Sequence, residues 1–210
     1  MKNYVITIGR QCGSGGHSIG KALSERLDIP FYDKEIIELA EKESGFDKKI
    51  IEEKGEHMEG GMLGNLAHYL SYGGKGKYED YQPLQDQIYF VQSKIIKELA
   101  EKGSCVIVGR CADHILEKQE NVLNIFIHAD MKFKKERCME RGQFSAAEAE
   151  RLIQKRDKLR ADHYKYYTEM EWGHSSNYHL CLDSGMLGIE RCVRLIEDVY
   201  RELSGNENNG

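Results

Sequence analysis

The segment formed by residues 4–20 constrains the fold of this chain more than any other part of the sequence. Residues 4–8 form a short apolar run rich in β-branched side chains, which predicts a buried strand. Three glycines follow within four positions, Gly13, Gly15 and Gly16, and a helical pattern comes next. A strand, a glycine loop and a helix in this order present backbone N–H groups to a phosphate at the helix N-terminus. Glycine suits the loop because side chains would block close approach.

This phosphate loop can be aligned with the sequence in two ways. The literal pattern G-x-x-x-x-G-K begins at Gly15 and ends at Lys21, but Ala22 follows where the motif has Ser or Thr for Mg²⁺. The hydrophobic pattern favours an earlier alignment, in which the cradle consists of Gly13, Ser14, Gly15, Gly16, His17 and Ser18. Ser18 is then the hydroxyl at the helix start, and Gly16 stands where a lysine is normally found.

The same loop leaves a dinucleotide-binding interpretation open. The spacing Gly13-x-Gly15-x-x-Ser18 is one residue short of that fingerprint, and Asp33 ends a predicted second strand at a suitable distance. Ligands of open α/β sheets bind outside the carboxyl ends of the strands, so Asp33 is a candidate ligand-binding residue. Its alternative role is a helix N-cap.

Length, charge and cysteine usage set broad limits on the class of protein. A chain of 210 residues is long enough for one sizeable core with a small insertion. Its formal net charge of −5 gives no overall argument for binding nucleic acid or an anionic membrane, and no apolar run is long enough to span a bilayer. Six cysteines without a C-x-x-C pair predict free thiols in a reducing cytoplasm, with neither disulfides nor a zinc site.

Short apolar segments alternate with helical patterns along the chain. This alternation predicts an α/β fold, a three-layer parallel sheet of five strands. The predicted strands are residues 4–8, 29–33, 104–110, 122–129 and 178–184. We expect a single domain over residues 1–203 and a disordered tail over residues 204–210, which are rich in Gly and Asn.

Two segments differ in character from the rest. Residues 45–85 combine recurrent glycines with charges and tyrosines and contain nothing that builds a core strand, so we expect an insertion over one end of the sheet. Such an insertion could close on a substrate, and a surface excursion is the alternative. Residues 130–172 predict a helical hairpin whose cations are concentrated in an otherwise acidic protein, which favours an anionic ligand.

Arg110 and Asp113 follow the third predicted strand, on a turn that contains Gly109. An arginine just beyond a buried strand is well placed to bind an anion through two hydrogen bonds. A structural ion pair between Arg110 and Asp113 is the alternative.

Taken together, these segments resemble the cytidylate kinase-like proteins among the P-loop nucleoside monophosphate kinases. The matching segments are residues 6–10 and 13–20, 31–33, 106–113, 124–129 and 156–172. The resemblance implies a P-loop NTPase fold of α/β/α layers, with residues 45–85 as a helical acceptor-binding insertion and residues 130–172 as a helical lid.

The resemblance also implies roles for individual residues. Residues 13–18 would bind the phosphates of ATP, with Ser18 on Mg²⁺. The acceptor nucleotide would be held by Asp33, Arg110 and Asp113. The lid would supply the cations that neutralise charge during transfer, which are Arg137, Arg141, Arg156 and Arg160.

The missing lysine leaves the function open between two main hypotheses. The leading one is an ATP-dependent phosphotransferase acting on a nucleoside monophosphate (CMP or dCMP first) or on a related small acceptor, with no nucleic-acid or membrane partner. The alternative is a catalytically silent nucleotide-binding regulatory protein. A dinucleotide oxidoreductase is a third interpretation. Arg10, Lys21 or a lid arginine could replace the lysine, and the sequence does not choose among them.

Overall fold

The computed structural model describes residues 3–54, 83–142 and 144–205 and contains a five-stranded parallel sheet. The strands are β1 (Val5–Arg10), β2 (Phe31–Tyr32), β3 (Cys105–Val108), β4 (Val122–His128) and β5 (Leu180–Asp183). They lie in the order β2-β3-β1-β4-β5, and every neighbouring pair is parallel. The predicted fold class is therefore confirmed.

The strand order also decides between the two interpretations of the glycine loop. In the dinucleotide-binding fold the order is 3-2-1-4-5-6, so its second strand lies beside the first. Here β3 lies between β1 and β2. The dinucleotide interpretation is therefore wrong at the level of topology.

Helices cover both faces of the sheet. The first four are α1 (Gly16–Leu27), α2 (Glu35–Ser44), α3 (Lys48–Lys54) and α4 (Leu84–Lys102). The next three are α5 (Ala112–Ile115), α6 (Met131–Arg141) and α7 (Ala146–Thr168). A 3₁₀ turn (Ser175–Asn177) precedes β5, and α8 (Ser184–Leu187) and α9 (Ile189–Gly205) follow it. Within the described ranges, every helix is too short or too polar to cross a lipid bilayer.

The core consists of two apolar layers separated by the sheet. Because successive strand side chains point to opposite faces, Val5 packs with α2 and α4, whereas Ile6 and Ile8 pack with α1 and α9. Strand β3 divides in the same way, with Ile107 in the first layer and its two neighbours in the second. Burial on both faces explains why these strands are continuous apolar runs.

The predicted hairpin corresponds to α6 and α7. Helix α7 starts with a complete capping box, in which Ser145 accepts a hydrogen bond from the Glu148 N–H and Glu148 accepts one from the Ser145 N–H. Helix α6 starts at Asp130, whose carboxylate accepts a hydrogen bond from the Phe133 N–H at 2.7 Å. These caps fix where the two basic helices begin.

The predicted segment boundaries differ from the structure at two places. Helix α9 continues to Gly205 and buries Ser204, so the first two residues of the predicted tail are helical, and residues 206–210 lie outside the described part of the chain. Most of the predicted insertion, residues 55–82, also lies outside it. The start of that segment belongs to the core, because Ile51 in α3 is completely buried among apolar side chains.

Candidate active site

The glycine loop connects the carboxyl end of β1 to the start of α1. Gly13 and Gly15 have φ angles of 79° and 87°, in the left-handed region that favours glycine. Gly15 is the N-cap residue of α1, and no side chain caps this helix. The N-terminus of α1 therefore presents backbone N–H groups and the positive end of the helix dipole to the space above the loop.

The helical hairpin packs directly on this loop. A Cβ atom added to Gly13 would lie 2.7 Å from the carbonyl oxygen of Lys134 in α6. The Cys12 N–H donates a hydrogen bond of 2.6 Å to the Asp157 carboxylate of α7, and Lys134 Nζ lies 3.3 Å from the same carboxylate. Lys134 Nζ also donates to Gln11 Oε1 at 3.1 Å. The loop and both lid helices are thus joined by a largely buried polar network.

Sequence reasoning missed Asp157 and Lys134 as parts of the site. Both belong to runs of charged residues on helices, and such runs usually form solvated faces. The sequence contains no signal that separates these two from their exposed neighbours, because their burial depends on how the hairpin docks on the loop.

Ser14 belongs to the loop, with its side chain turned into the protein. Its side chain is completely buried, and its hydroxyl donates to the Gln11 carbonyl at 2.9 Å. Its own carbonyl accepts a hydrogen bond of 2.5 Å from the Ser184 hydroxyl. The Ser14 side chain therefore shapes the loop and does not face a ligand.

Two lid arginines converge on the hydroxyl of Ser18. Arg141 donates to Ser18 Oγ at 2.7 Å and Arg137 at 3.4 Å. Burial and the neighbouring Arg141 charge both lower the pKa of Arg137, and its buried Nε atom has no hydrogen-bond partner among the described residues. Two guanidinium groups held together beside a helix N-terminus form a strong binding environment for an anion.

The same contacts bear on the predicted magnesium role of Ser18. Mg²⁺ binds oxygen ligands, commonly carboxylates together with the phosphates of a substrate. Ser18 Oγ is instead surrounded by two cationic donors. This hydroxyl does not fit a metal ion unless both arginines move, so the arrangement favours a metal ion held by the phosphates of the nucleotide.

Asp33 lies at the carboxyl end of β2 and faces the side chains of Arg10 and His17. Its carboxylate is 3.9 Å from Arg10 and 3.5 Å from His17 Nε2. The alternative role as a helix cap is wrong, because Lys34 occupies the N-cap position of α2 and no side chain caps that helix. Asp33 therefore contributes a nearly buried negative charge beside the glycine loop.

The turn after β3 has an unusual backbone. Gly109, Arg110 and Cys111 have φ angles of 79°, 58° and 53°, so three successive residues are left-handed and two of them have side chains. Such conformations cost about 1–3 kcal/mol each for residues other than glycine and are often found at functional sites. Here the turn holds the nearly buried Arg110 at the edge of the site.

Asp113 is also nearly buried and lies at the start of the short helix α5. The Tyr164 hydroxyl donates to its carboxylate at 2.7 Å, and burial raises the pKa of Asp113. Asp113 lines a small cavity of about 30 Å³ that it shares with Arg110 and Arg160. Beside that cavity, Cys111 Sγ and His163 Nδ1 are 3.5 Å apart.

A larger cleft of about 530 Å³ brings most of the predicted site residues together. From the loop and the strand ends it is lined by Gly13, Gly15, Gly16, His17, Asp33 and Arg110, and from the hairpin by Arg141, Arg156 and Arg160. Of the remaining predicted residues, Ser14, Ser18 and Arg137 do not line this cleft, and Asp113 lines the small cavity. Arg10, which directly follows the apolar run, lines both spaces.

The chemistry of this cleft suits a polyanion. It combines glycine N–H groups at a helix N-terminus with several guanidinium groups and the carboxylates of Asp33 and Glu52. A volume of several hundred Å³ is typical of small-molecule sites.

Comparisons with known proteins agree with this geometry. Residues 5–186 match the sequence model of the cytidylate kinase-like family. A cytidylate kinase from Methanothrix thermoacetophila is 26% identical over 181 residues, which cover 86% of this chain and 88% of that protein.

Solved structures give the same answer for the fold. The crystal structure of an uncharacterized protein from Eubacterium ventriosum is 28% identical, has a TM-score of 0.69, and the match covers 94% of this chain and 98% of that one. A shikimate kinase from Bacteroides thetaiotaomicron shares the fold at 14% identity, with a TM-score of 0.52 and coverage of 93% and 97%. Because the family match spans most of the sequence and the fold agrees with it, this chain belongs to the cytidylate kinase-like family.

Proposed function

We propose that this protein is an ATP-dependent phosphotransferase whose acceptor is a nucleoside monophosphate, CMP or dCMP first. One observation supports the proposal above all others. A single cleft is lined by the glycine loop, by arginines of the hairpin and by Asp33 and Arg110 from the ends of two neighbouring strands. Donor and acceptor phosphates can therefore meet in one place.

The donor side is the loop and the start of α1. The N–H groups at Gly15 and Gly16 would receive the phosphates of ATP, and the lid cations Arg141 and Arg137 would neutralise them from above. His17 lies beside these groups at the rim of the cleft and is exposed.

The acceptor side is formed by Asp33 and Arg110. Arg110 is suited to hold the acceptor phosphate through two hydrogen bonds, and Asp33 is suited to accept hydrogen bonds from the acceptor's sugar or base. Asp113 and Tyr164 lie beneath the turn and would support Arg110 from below.

In the transfer, the bond between the γ-phosphorus and its bridging oxygen breaks, and a phosphate oxygen of the acceptor forms the new bond. Little covalent chemistry falls to the protein, which contributes position and charge neutralisation. Arg156 and Arg160 of α7 face the cleft between the two sides and would neutralise the group in transit. Mg²⁺ would arrive on the phosphates of ATP and reduce their charge further.

The identity of the acceptor is proposed from the relatives. The curated relative described above is a cytidylate kinase. The Asp33 carboxylate and the Arg110 guanidinium are compatible with a cytosine nucleotide, and other small phosphate esters would satisfy the same chemistry.

The experiment is an ADP-release assay with Mg-ATP and a panel of nucleoside monophosphates, together with a control without acceptor. We expect turnover that requires a pyrimidine monophosphate and falls at least tenfold in Arg156→Ala, because this cation acts on charge that develops during transfer. Lys158→Ala, which removes an exposed cation of the same helix that does not line the cleft, is the matched control.

A second candidate function is nucleotide binding without transfer. It is favoured by Gly16, which leaves the lysine position of the loop without a side chain. ATP binding measured by calorimetry, with no ADP release for any acceptor, would support this candidate and contradict the phosphotransferase.

A further inference from the structure

With Gly15 taken as its second glycine, the loop departs from the P-loop pattern at three positions, which are Arg10, Gly16 and His17, the last in the place of the Ser or Thr. In G-x-x-x-x-G-K-[ST], the lysine directly follows the second glycine, and the first glycine lies six residues before the lysine. When Gly15 is taken as the second glycine, the lysine position is Gly16 and the first-glycine position is Arg10. Compared with the pattern, this chain therefore has an additional long cationic side chain at position 10 and lacks the one at position 16.

Positions 10 and 16 are in direct contact. A Cβ atom built on Gly16 would lie 2.5 Å from Cβ of Arg10 and 2.9 Å from its Cγ. Gly16 has no left-handed φ angle, so it is glycine for reasons of space and not of backbone conformation. The stem of Arg10 occupies the space that any side chain at position 16 would need.

Arg10 is also in the right place to act on the donor phosphates. It ends β1, its side chain is 11% exposed, and it lines the cleft together with Gly13, Gly15 and Gly16. Asp33 lies 3.9 Å from its guanidinium group and holds it on the cleft side of the loop.

Lys21 is the other residue of this segment that could replace the missing lysine, and it lies away from the cleft. Lys21 is exposed on α1, more than one turn after the helix start, and it does not line the cleft. Of the hairpin arginines, Arg137 and Arg141 contact Ser18, and Arg160 donates a hydrogen bond of 3.2 Å to the Arg10 carbonyl.

We propose that Arg10 binds the phosphates of the donor nucleotide in place of the P-loop lysine, reaching them from the first-glycine position of the loop. This inference rests on the proposed function, since it takes ATP as the donor. A guanidinium group in this place can bind two phosphate oxygens at once, which an ammonium group cannot do with the same geometry.

The test measures binding of ATP, ADP and adenosine by calorimetry to the full chain and to single and double variants. Arg10→Met keeps a side chain over Gly16 and removes the charge. We expect it to lose roughly tenfold or more in ATP affinity, less in ADP affinity and nothing in adenosine affinity, because a charge-assisted contact is lost only with the phosphates.

The double variant Arg10→Gly with Gly16→Lys restores the first glycine and the lysine of the usual pattern. We expect Arg10→Gly alone to bind ATP weakly, Gly16→Lys alone to be overpacked and weak, and the double variant to recover affinity to within about threefold of the original chain. Lys21→Ala is the matched control and should bind all three ligands normally. Circular dichroism of each variant shows whether it is folded.

Several outcomes would overturn the inference. They are normal ATP affinity in Arg10→Met, an equal loss of ATP and adenosine affinity in that variant, and a folded double variant that binds no better than Arg10→Gly. An original chain that binds ATP but transfers nothing contradicts the proposed transfer alone, because the binding experiment still tests Arg10. An original chain that binds no ATP contradicts both.

Discussion

Arg110 is a nearly buried cation on a strained turn. A variant at this position distinguishes acceptor binding from ATP binding. Arg110 follows β3, whereas the glycine loop follows β1. We therefore expect Arg110→Ala to raise the KM for the acceptor by tenfold or more and to leave ATP affinity within about twofold, since a charge-assisted hydrogen bond is worth about 1.5–3 kcal/mol.

Separate measurements of ATP binding by calorimetry and of acceptor KM by ADP release check this prediction. Arg110→Lys keeps the charge but cannot form the two parallel hydrogen bonds of a guanidinium group. Its acceptor KM should therefore lie between those of the original chain and of Arg110→Ala. A loss of ATP affinity with an unchanged acceptor KM would place Arg110 on the donor side.

Asp113 gives a prediction about stability and pH. Burial raises its pKa above the ordinary value of 3.8, so between 3.8 and the higher folded value the native protein binds more protons than the unfolded chain. The contribution of Asp113 is complete below the unfolded pKa and is lost as the pH rises through the folded pKa.

Denaturant unfolding of the original chain and of Asp113→Asn over a pH series tests this. The amide can still accept the hydrogen bond from Tyr164, so the variant should fold. The free energy of unfolding of the original chain, minus that of the variant, should fall as the pH rises above about 4. A difference that grows over this range would mean that Asp113 is stabilised in its ionised form.

At the scale of elements, the site depends on how closely the glycine loop packs against α6. Gly13→Ala combines a left-handed residue with a contact of 2.7 Å to a backbone oxygen of Lys134, so either the loop or the helix must shift. We expect a loss of stability greater than the 1–3 kcal/mol of backbone strain alone, with weaker ATP binding.

Gly45→Ala is the matched control for the strain. Gly45 has a similar φ of 73°, and a Cβ atom there would have no neighbour within 4 Å. Thermal unfolding should therefore show a smaller loss for Gly45→Ala, with normal ATP binding. Equal effects of the two substitutions on stability and binding would contradict a close loop–helix contact.

The link between the loop and the hairpin can be tested at Asp157. Its removal leaves the Cys12 N–H and the buried Lys134 without their carboxylate, so Asp157→Ala should destabilise the protein by about 1–3 kcal/mol and speed hydrogen exchange in α6 and α7. Glu150→Ala removes the partly exposed pair Lys135–Glu150 between the same helices, which should cost less than about 1 kcal/mol. Equal losses would show that the buried network adds nothing to lid docking.

At the scale of the whole molecule, the net charge of −5 repels an anionic ligand, whereas the basic cleft attracts it. The cleft arginines line the same space as the loop, while charges outside the cleft are screened beyond roughly 10 Å at 0.1 M salt. The local charges should therefore dominate.

We expect ATP affinity to decrease as the salt concentration rises, and calorimetry at several concentrations of NaCl measures this. Adenosine affinity, measured in the same series, is the control and should change little. Tighter ATP binding at high salt would mean that repulsion by the acidic surface outweighs attraction by the cleft.

The sequence predicts the strands and helices of this molecule better than the side-chain contacts of its candidate site. Five strands and the basic hairpin follow from periodicity, and the capping box of Ser145 and Glu148 predicts the start of α7. The partners of Asp157 and of Ser14 depend on how α7 and α8 dock on the loop, and no local pattern encodes that packing. Strand β2 has only two residues, too few for a pattern to set its ends.

The close packing of Arg10 over Gly16 limits the order in which these two positions could change during evolution. A lysine that arises first at position 16 collides with the arginine, and an arginine lost first leaves neither long cation in the loop. A change from this loop to the usual one therefore passes through an impaired intermediate in either order. A sequence search that demands the usual lysine pattern would pass over this chain.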